Sequence, residues 1–349
     1  MNRKNLVLLG GLGIAAYLAY RVYKTKHLYS FRDKTVLITG GTRGLGLLMA
    51  RRLAAEGAKL VVCARDHEEV HRAFHELADR GTRVIALTCD LRDPGQVRVM
   101  VQKARERLGA IDVLINNAGI ISVGPVETMT LADFQDNLAT NFFSAVHTII
   151  QVLPEMRARG QGRIVNVSSI GGKVGVPHLL PYCASKFALT GLSEGLRSEA
   201  AKDGVVVTTV CPGLMRTGSP RNALFKGHHR VEHALFTLMD AFPGVSMNAD
   251  SAAKRIIEAC RYGEAEVVLS FPAKAAVLLH DLFPGLATDL NALINRLLPR
   301  GGGIGTHAVP GYASESKVAP SVLTALSDRA AEENNEMVAQ SPPPIPAAT

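Results

Sequence analysis

The sequence predicts an α/β fold in which one doubly wound parallel sheet carries helices on both faces. Two observations carry that prediction. Short apolar runs of strand type alternate with segments of helical period six times between residues 35 and 217. The side chains able to do chemistry fall at the C-terminal ends of those runs, or on the helix that follows, which is where such sheets bind ligands.

Composition sets the frame. The chain has 349 residues, 47% of them hydrophobic, enough for one large domain with extensions. The formal net charge is +8, yet Lys and Arg are dispersed, aromatic residues make up 5% and Trp is absent. That balance suits a phosphate-bearing cofactor and an anionic membrane surface and argues against nucleic acid. Cys63, Cys89, Cys183, Cys211 and Cys260 stand singly, without C-x-x-C spacing, as reduced thiols of a cytosol-facing domain do.

At the N-terminus, Leu6 to Tyr20 is uncharged and mostly apolar, between Arg3-Lys4 and Arg21, Lys24 and Lys26. Tyr17, Tyr20, Tyr23 and Tyr29 form an interfacial belt. A full span wants about 20 residues, so flanking side chains must snorkel. No A-x-A cleavage site follows. Residues 1–30 therefore read as an uncleaved transmembrane anchor with its juxtamembrane segment, the heavier positive flank placing the catalytic domain in the cytoplasm. Gly11-Leu12-Gly13-Ile14-Ala15-Ala16 matches a dinucleotide fingerprint, but no acidic residue follows at the required distance.

The catalytic domain spans residues 31–270. Its first strand, Thr35 to Thr39, runs into Gly40-Gly41-Thr42-Arg43-Gly44-Leu45-Gly46 and then a helix, Leu47 to Gly57. Glycines at 40, 44 and 46 permit a tight turn and close approach of a pyrophosphate, which the helix N-terminus favours. The second strand, Lys59 to Ala64, ends in Arg65, where an acidic residue would select a ribose 2′-hydroxyl. Arg65 and Arg43 instead suit a 2′-phosphate, so NADP is expected rather than NAD. A helix follows over about Glu68 to Arg80. The strand Val84 to Thr88 leads to Cys89-Asp90-Leu91, with Asp90 in reach of an adenine amine. After a helix from Pro94 to Leu108, the strand Val113 to Asn116 leads to Asn117-Ala118-Gly119, and a helix from about Ala132 to Arg157 carries Asn141.

The strand Ile164 to Val167 ends at Ser169, and the next helix opens with Tyr182 and Lys186, four apart and on one face. A tyrosine holds its proton to about pH 10, and an ammonium one turn away favours the phenolate. The Ser169 hydroxyl could steady an oxyanion. Together these residues equip the site for proton transfer at a carbonyl or alcohol carbon. The last strand of the alternation, Val205 to Val210, ends in Cys211-Pro212-Gly213.

These motifs resemble those of the short-chain dehydrogenase/reductase family over about Lys34 to Thr217. T-G-x-x-x-G-x-G stands as Thr39 to Gly46, N-N-A-G as Asn116 to Gly119 and Y-x-x-x-K as Tyr182 to Lys186, with Ser169 thirteen residues before Tyr182. The resemblance implies a Rossmann-type fold and a catalytic set of Asn141, Ser169, Tyr182 and Lys186. In it, Tyr182 is the general acid or base, and Lys186 holds the nicotinamide ribose and lowers the Tyr182 pKa. Ser169 bonds the substrate oxygen, and Asn141 holds a proton-relaying water. It further implies that Gly40, Gly44 and Gly46 receive the pyrophosphate, with Thr42, Arg43 and Leu45 between them. Asn117, Ala118 and Gly119 line the cofactor, Pro212-Gly213 covers the nicotinamide, and Thr217 bonds its carboxamide.

Residues 214–245 read as a lid whose Phe225, Leu235, Phe236, Leu238 and Met239 suit an apolar or lipid-like substrate. His228, His229 and His233 lack accompanying carboxylates or thiols, so no metal is expected. Residues 271–310 form an apolar extension broken by Pro272 and Pro284. It could be a membrane contact, a pocket cover or a dimer face. Residues 311–349 read as a mostly disordered tail with a short helix near Val322 to Glu333. The expected protein is an NADP-dependent oxidoreductase interconverting a small-molecule carbonyl and an alcohol, assembled as a dimer or tetramer. The alternative is a non-catalytic NADP-binding regulatory or scaffold protein at a membrane.

Overall fold

The computed structural model describes residues 28–337. The expected anchor lies almost wholly outside the described residues, among which no helix is long and apolar enough to cross a membrane.

Seven parallel strands form the sheet: β1 (Thr35–Thr39), β2 (Lys59–Ala64), β3 (Val84–Thr88), β4 (Val113–Asn116), β5 (Gly162–Val167), β6 (Val205–Cys211) and β7 (Glu266–Val268). Their spatial order is β7-β6-β5-β4-β1-β2-β3. The chain winds outward from β1 to β3, then crosses back to β4 on the other side of β1 and winds the other way. The crevice of such a sheet opens where the direction reverses, between β1 and β4. Every residue of β1 and β4 is buried. Helices cover both faces, which is why these strands are continuous apolar runs without alternation.

One face packs α1 (Gly44–Ala55), α2 (His67–Asp79) and, after β6, α8 (Ala249–Tyr262), through Leu47, Met49, Leu53, Leu77, Ile256 and Ile257. The other packs α3 (Pro94–Leu108), α5 (Ser144–Ala158) and α6 (Leu180–Ala200), through Val97, Val101, Val152, Met156 and Leu189. Asp66 and Asp93 cap α2 and α3, with Pro94 at the first helical position of α3. The segment following the expected anchor is tied down: Phe31 is buried under the Arg261 guanidinium, and Arg163 lies 4.2 Å from the Tyr29 ring centre.

Three elements differ from the sequence expectation. The helix predicted over 132–157 is two helices, α4 (Leu131–Leu138) and α5, joined by a π-helical turn at Ala139–Phe143 that carries Asn141. Hydropathy period cannot show one extra residue in a turn, and such bulges gather at functional sites. The glycine-loop helix starts at Gly44, so two loop glycines belong to its first turn. The expected tail is ordered as far as residue 337. Val309–Pro310 pairs with Leu224–Phe225, and the short helix expected near Val322 to Glu333 is present as α11 (Ala325–Glu333) and packs on the domain. The prolines do break the apolar extension into two helices, α9 (Phe271–Leu282) and α10 (Pro284–Asn295).

A buried polar chain crosses the centre of the sheet. Thr148 donates to Asn116 Oδ1 (2.7 Å), Asn116 to Asn166 Oδ1 (2.9 Å), and Asn166 to Ser193 Oγ (3.0 Å), which also accepts from Thr209 (2.7 Å). Replacing Asn166 by Leu leaves the Asn116 amide without its acceptor. Each orphaned group costs about 1–3 kcal/mol, so urea unfolding of Asn166→Leu should show a clear fall in midpoint at an unchanged slope.

Candidate active site

The cofactor cradle begins with a coupling between the ends of β1 and β4. Thr39 Oγ1 accepts from the Asn117 and Ala118 backbone amides (2.9 and 3.1 Å), and Asn117 Nδ2 donates back to the carbonyls of Thr39 and Gly40 (both 3.1 Å). Asn117 therefore shapes the glycine turn as well as lining it. Gly40 and Gly44 adopt φ of 59° and 52°, which side-chain-bearing residues rarely tolerate. A Cβ on Gly46 would collide with the Gly40 carbonyl oxygen. α1 has no acidic residue in its first turn, and its N-terminus opens on the crevice.

The residues expected around the adenosine take definite positions. Arg43 Nη1 pairs with buried Glu69 (2.5 Å), to which Thr42 also donates (3.3 Å). Arg65 is exposed at the end of β2. The two arginines thus differ: one is held by an acid, the other faces solvent. Asp90 accepts from Arg92, which holds its carboxyl below the usual range, and Leu91 is buried beside it.

The four catalytic candidates come together at the end of β5. Ser169 Oγ accepts from the Gly171 amide (3.0 Å), and its hydroxyl lies on the side of Tyr182, where it favours the phenolate. Lys186 is buried with Nζ donating to the Val167 carbonyl (2.9 Å), 5.7 Å from the Tyr182 ring centre. Asn141 clamps the Ile120 backbone from both sides, accepting from its N–H (2.8 Å) and donating to its carbonyl (3.0 Å), and also donates to Ser185 (2.8 Å). A Cβ on Gly119 would lie 2.9 Å from Asn141 Oδ1 and 3.6 Å from Lys186 Nζ, so the N-N-A-G turn runs over the catalytic lysine.

The electrostatics differ from the sequence expectation. Burial pushes Tyr182 up to about 12, with the Ser169 hydroxyl working against it, and pulls Lys186 down to about 8. The ammonium points at a backbone carbonyl and is not what sets the phenol. As arranged here, Tyr182 is a firmly protonated donor beside a lysine that loses its charge only slightly above neutrality.

The cover of the site is pinned by contacts that sequence reasoning missed. Thr217 is buried and shares a hydrogen bond with Ser219 (2.7 Å), while Pro212 accepts from the Ile170 amide (2.7 Å) and Gly213 abuts Ser270 of α9. In the lid helix α7 (His229–Ala241), buried Glu232 meets His178 at 2.7 Å, and buried Asp240 accepts from the Met215 amide (3.2 Å). Burial raises the Asp240 carboxyl well above its ordinary value. Pro212, Gly213 and Thr217 stand in the loop the sequence singled out, but Glu232, His178 and Asp240 belong to no motif, and only apposition in the fold makes them partners. Of the three lid histidines, His229 bonds Ser314 (2.9 Å), and burial brings His233 to about 4.

The cradle also meets the chain's own C-terminal segment. Gly44 N–H donates to the Asn334 carbonyl (2.9 Å), and Glu336 accepts from the Gly218 N–H (3.2 Å) and from Asn222 (3.0 Å). A site that seats a carboxylate between a glycine turn and a helix N-terminus fits the phosphates of a dinucleotide. Gly40, Gly44, Gly46, Asn117 and Gly119 would hold that cofactor, which supplies or accepts the hydride when bound. This chain's residues would orient the reactants, with the Tyr182 hydroxyl placed to move the proton.

The short chain dehydrogenase family matches residues 34–224. The chain is 33% identical to the dehydrogenase/reductase SDR family member 7B of Bos taurus over 293 residues, covering 82% of this chain and 88% of that one. It is 41% identical to the ketoacyl reductase HetN of Nostoc sp. over 182 residues, covering 52% and 63%. Among solved structures, a gluconate 5-dehydrogenase from Burkholderia cenocepacia in complex with NADP and tartrate superposes with a TM-score of 0.62 at 27% identity, covering 70% of this chain and 98% of that one. The chain belongs to the short-chain dehydrogenase family and is an oxidoreductase.

Because burial brings Lys186 to about 8 while Tyr182 stays protonated, carbonyl reduction should hold its kcat/KM from pH 6 to 7 and fall as pH passes about 8, where the lysine charge is lost. A pH–rate profile flat through pH 10 would remove that charge from the mechanism.

Proposed function

We propose that this enzyme is an NADP-dependent carbonyl reductase or alcohol dehydrogenase for an apolar, lipid-like substrate, and that it works at a membrane surface. The single observation that carries the reaction is the placement of Tyr182: near Ser169 and one helical turn from buried Lys186, whose ammonium lies under Gly119 at the sheet's switch point. In reduction the phenol donates its proton to the carbonyl oxygen as the hydride reaches carbon; in oxidation it takes the proton back. A regulatory binder has no use for that donor, so the catalytic reading stands ahead of it.

The cofactor preference rests on Arg65 and Arg43 at the adenosine end, where no acidic residue ends β2. NADP bound to the Burkholderia structure accords with it. The apolar substrate class rests on the cluster of Val123, Ala223 and Phe225 with Ile121, Leu179 and Phe236, which joins the turn after Gly119 to the approach to Tyr182 and to the lid. The membrane reading rests on the Leu6 to Tyr20 run and on α9 and α10, which expose Phe271, Leu282, Phe283, Leu286, Leu293 and Leu297 beside exposed Lys274, Arg296 and Arg300.

Offered NADPH and a panel of ketones and aldehydes, the enzyme should reduce apolar ketones, and Tyr182→Phe should lose about 10²–10⁴-fold in kcat. A mutant as active as the parent removes Tyr182 from the reaction. Arg65→Ala should raise the NADPH KM several-fold and leave that for NADH unchanged; equal use of both cofactors by the parent would refute the arginine clamp. In flotation with anionic vesicles, replacing Phe271, Phe283 and Leu297 by Ser should weaken association; unaltered flotation would exclude α9 and α10 from the contact.

A further inference from the structure

The C-terminal segment bridges the two walls of the cofactor cradle. On the glycine-turn side, the Asn334 carbonyl takes the Gly44 N–H, and Asn335 Nδ2 donates to the Thr42 carbonyl (2.9 Å). On the opposite side, Glu336 holds the Gly218 N–H and the Asn222 amide, in the loop that follows Thr217. Two arginines secure the segment from α1 and α2: Arg51 donates to Asn334 Oδ1 and the Glu333 carbonyl (both 2.9 Å), and Arg72 to Asn335 Oδ1 (2.7 Å). Glu336 is 5% exposed, and its carboxylate lies so close over Gly44 that a Cβ there would collide with it.

A pyrophosphate in a cradle of this kind needs the N–H groups at the start of α1 and the space above Gly44. The first of those N–H groups, that of Gly44, and the space above it are taken, and the group over Gly44 is a carboxylate. A backbone N–H donates one good hydrogen bond, so the Asn334 carbonyl and a phosphoryl oxygen compete for Gly44. A carboxylate and a phosphate also repel each other in one anion site. Glu336 thus stands in for the phosphate charge.

We propose that residues 334–336, carried by α11, are an autoinhibitory strap that competes with NADP for the pyrophosphate cradle, so that cofactor binds only when the strap swings out. The proposal rests on the cofactor reading above. Burial raises the Glu336 carboxyl, with Arg43 and the Gly218 N–H working against the rise; the docked acid is held by geometry at some electrostatic cost, as suits a contact that must release. Because the strap joins the glycine turn to the loop expected over the nicotinamide, its release frees both halves of the cofactor site together.

Apparent affinity for a ligand falls in proportion to the fraction of protein that can bind it. A strap docked in about 90–99% of molecules weakens NADPH about 10–100-fold. The test titrates the full chain with NADPH, followed by nucleotide fluorescence, in the parent, in Glu336→Gln and in the double variant Asn335→Ala/Glu336→Gln. The expected result is a graded tightening, about 10-fold or more for the double variant. Hydrogen exchange of the parent supplies a second measurement that needs no mutation: residues 325–337 should lose protection when NADPH saturates. If NADPH binds all three proteins equally, or more weakly to the variants, or if the segment keeps its protection in the complex, the strap is overturned while the cofactor reading stands. If neither NADPH nor NADH binds any of them, both fall.

Discussion

The constraint on which the site depends is a lysine ammonium buried at the carboxyl end of a parallel sheet. An ammonium out of water needs hydrogen-bond partners and small neighbours. Lys186 has the Val167 carbonyl at the end of β5, and its surroundings are cut to fit. Gly119 passes over its tip. Gly172 lies against its backbone, where a Cβ would meet the Lys186 carbonyl at 2.7 Å. Ser168 and Thr190 both donate to that carbonyl, at 3.0 Å each. The serine pair ending β5 therefore divides its labour: Ser168 fixes the helix that carries the lysine, and Ser169 faces the tyrosine. A sequence shows two serines in a row; only the register of α6 against β5 separates their roles.

Much of this architecture was legible in the chain because it repeats a local rule. Each strand is a short apolar run, and each chemical residue follows a strand end, so topology and site were readable together from Thr39 to Lys186. What was not legible depends on apposition across long sequence separations. His178 and Glu232 are 54 residues apart, and Gly44 and Asn334 much further. The π turn at Asn141 escaped because a one-residue insertion leaves hydropathy almost unchanged, yet it is what lets Asn141 reach both groups of the Ile120 backbone. Spacing reveals that an ammonium is one turn away, but not that its Nζ is directed to a carbonyl nor that burial outweighs its charge.

The lid shows how polar burial can specify position. Asp240 takes the Met215 N–H, and buried Lys226 pairs with half-buried Asp133 at 2.5 Å. Replacing such pairs by apolar residues would cost little stability in principle, so their use here fits a demand for one arrangement of the cover. The Met215 to Gly218 stretch then lies between two buried acids, Asp240 beneath the lid helix and Glu336 from the C-terminal segment. Glu336 helps raise the Asp240 carboxyl, and the two acids take different amides of the stretch, Asp240 that of Met215 and Glu336 that of Gly218. Whatever moves that loop must alter the environment of both.

Composition misled most at the C-terminal segment, and the reason is physical. A stretch rich in Ser, Glu, Asn and Pro cannot build a core of its own, so it reads as tail. It needs no core if the domain already offers unsatisfied backbone donors. The glycine turn is such a surface: the Gly44 N–H, at the start of α1, has no partner within its own helix, and an acceptor that the chain delivers seats there. Asn334 brings a backbone carbonyl, Asn335 an amide donor for the Thr42 carbonyl and Glu336 a carboxylate, all just after a short helix whose preceding chain is fastened by the Val309–Pro310 pairing to the strand Leu224–Phe225. A site built to recognise an anion by backbone geometry cannot distinguish a cofactor's charge from one on its own chain, except by affinity. The same openness that makes the glycine turn a cofactor site therefore makes it susceptible to control by a tethered acid.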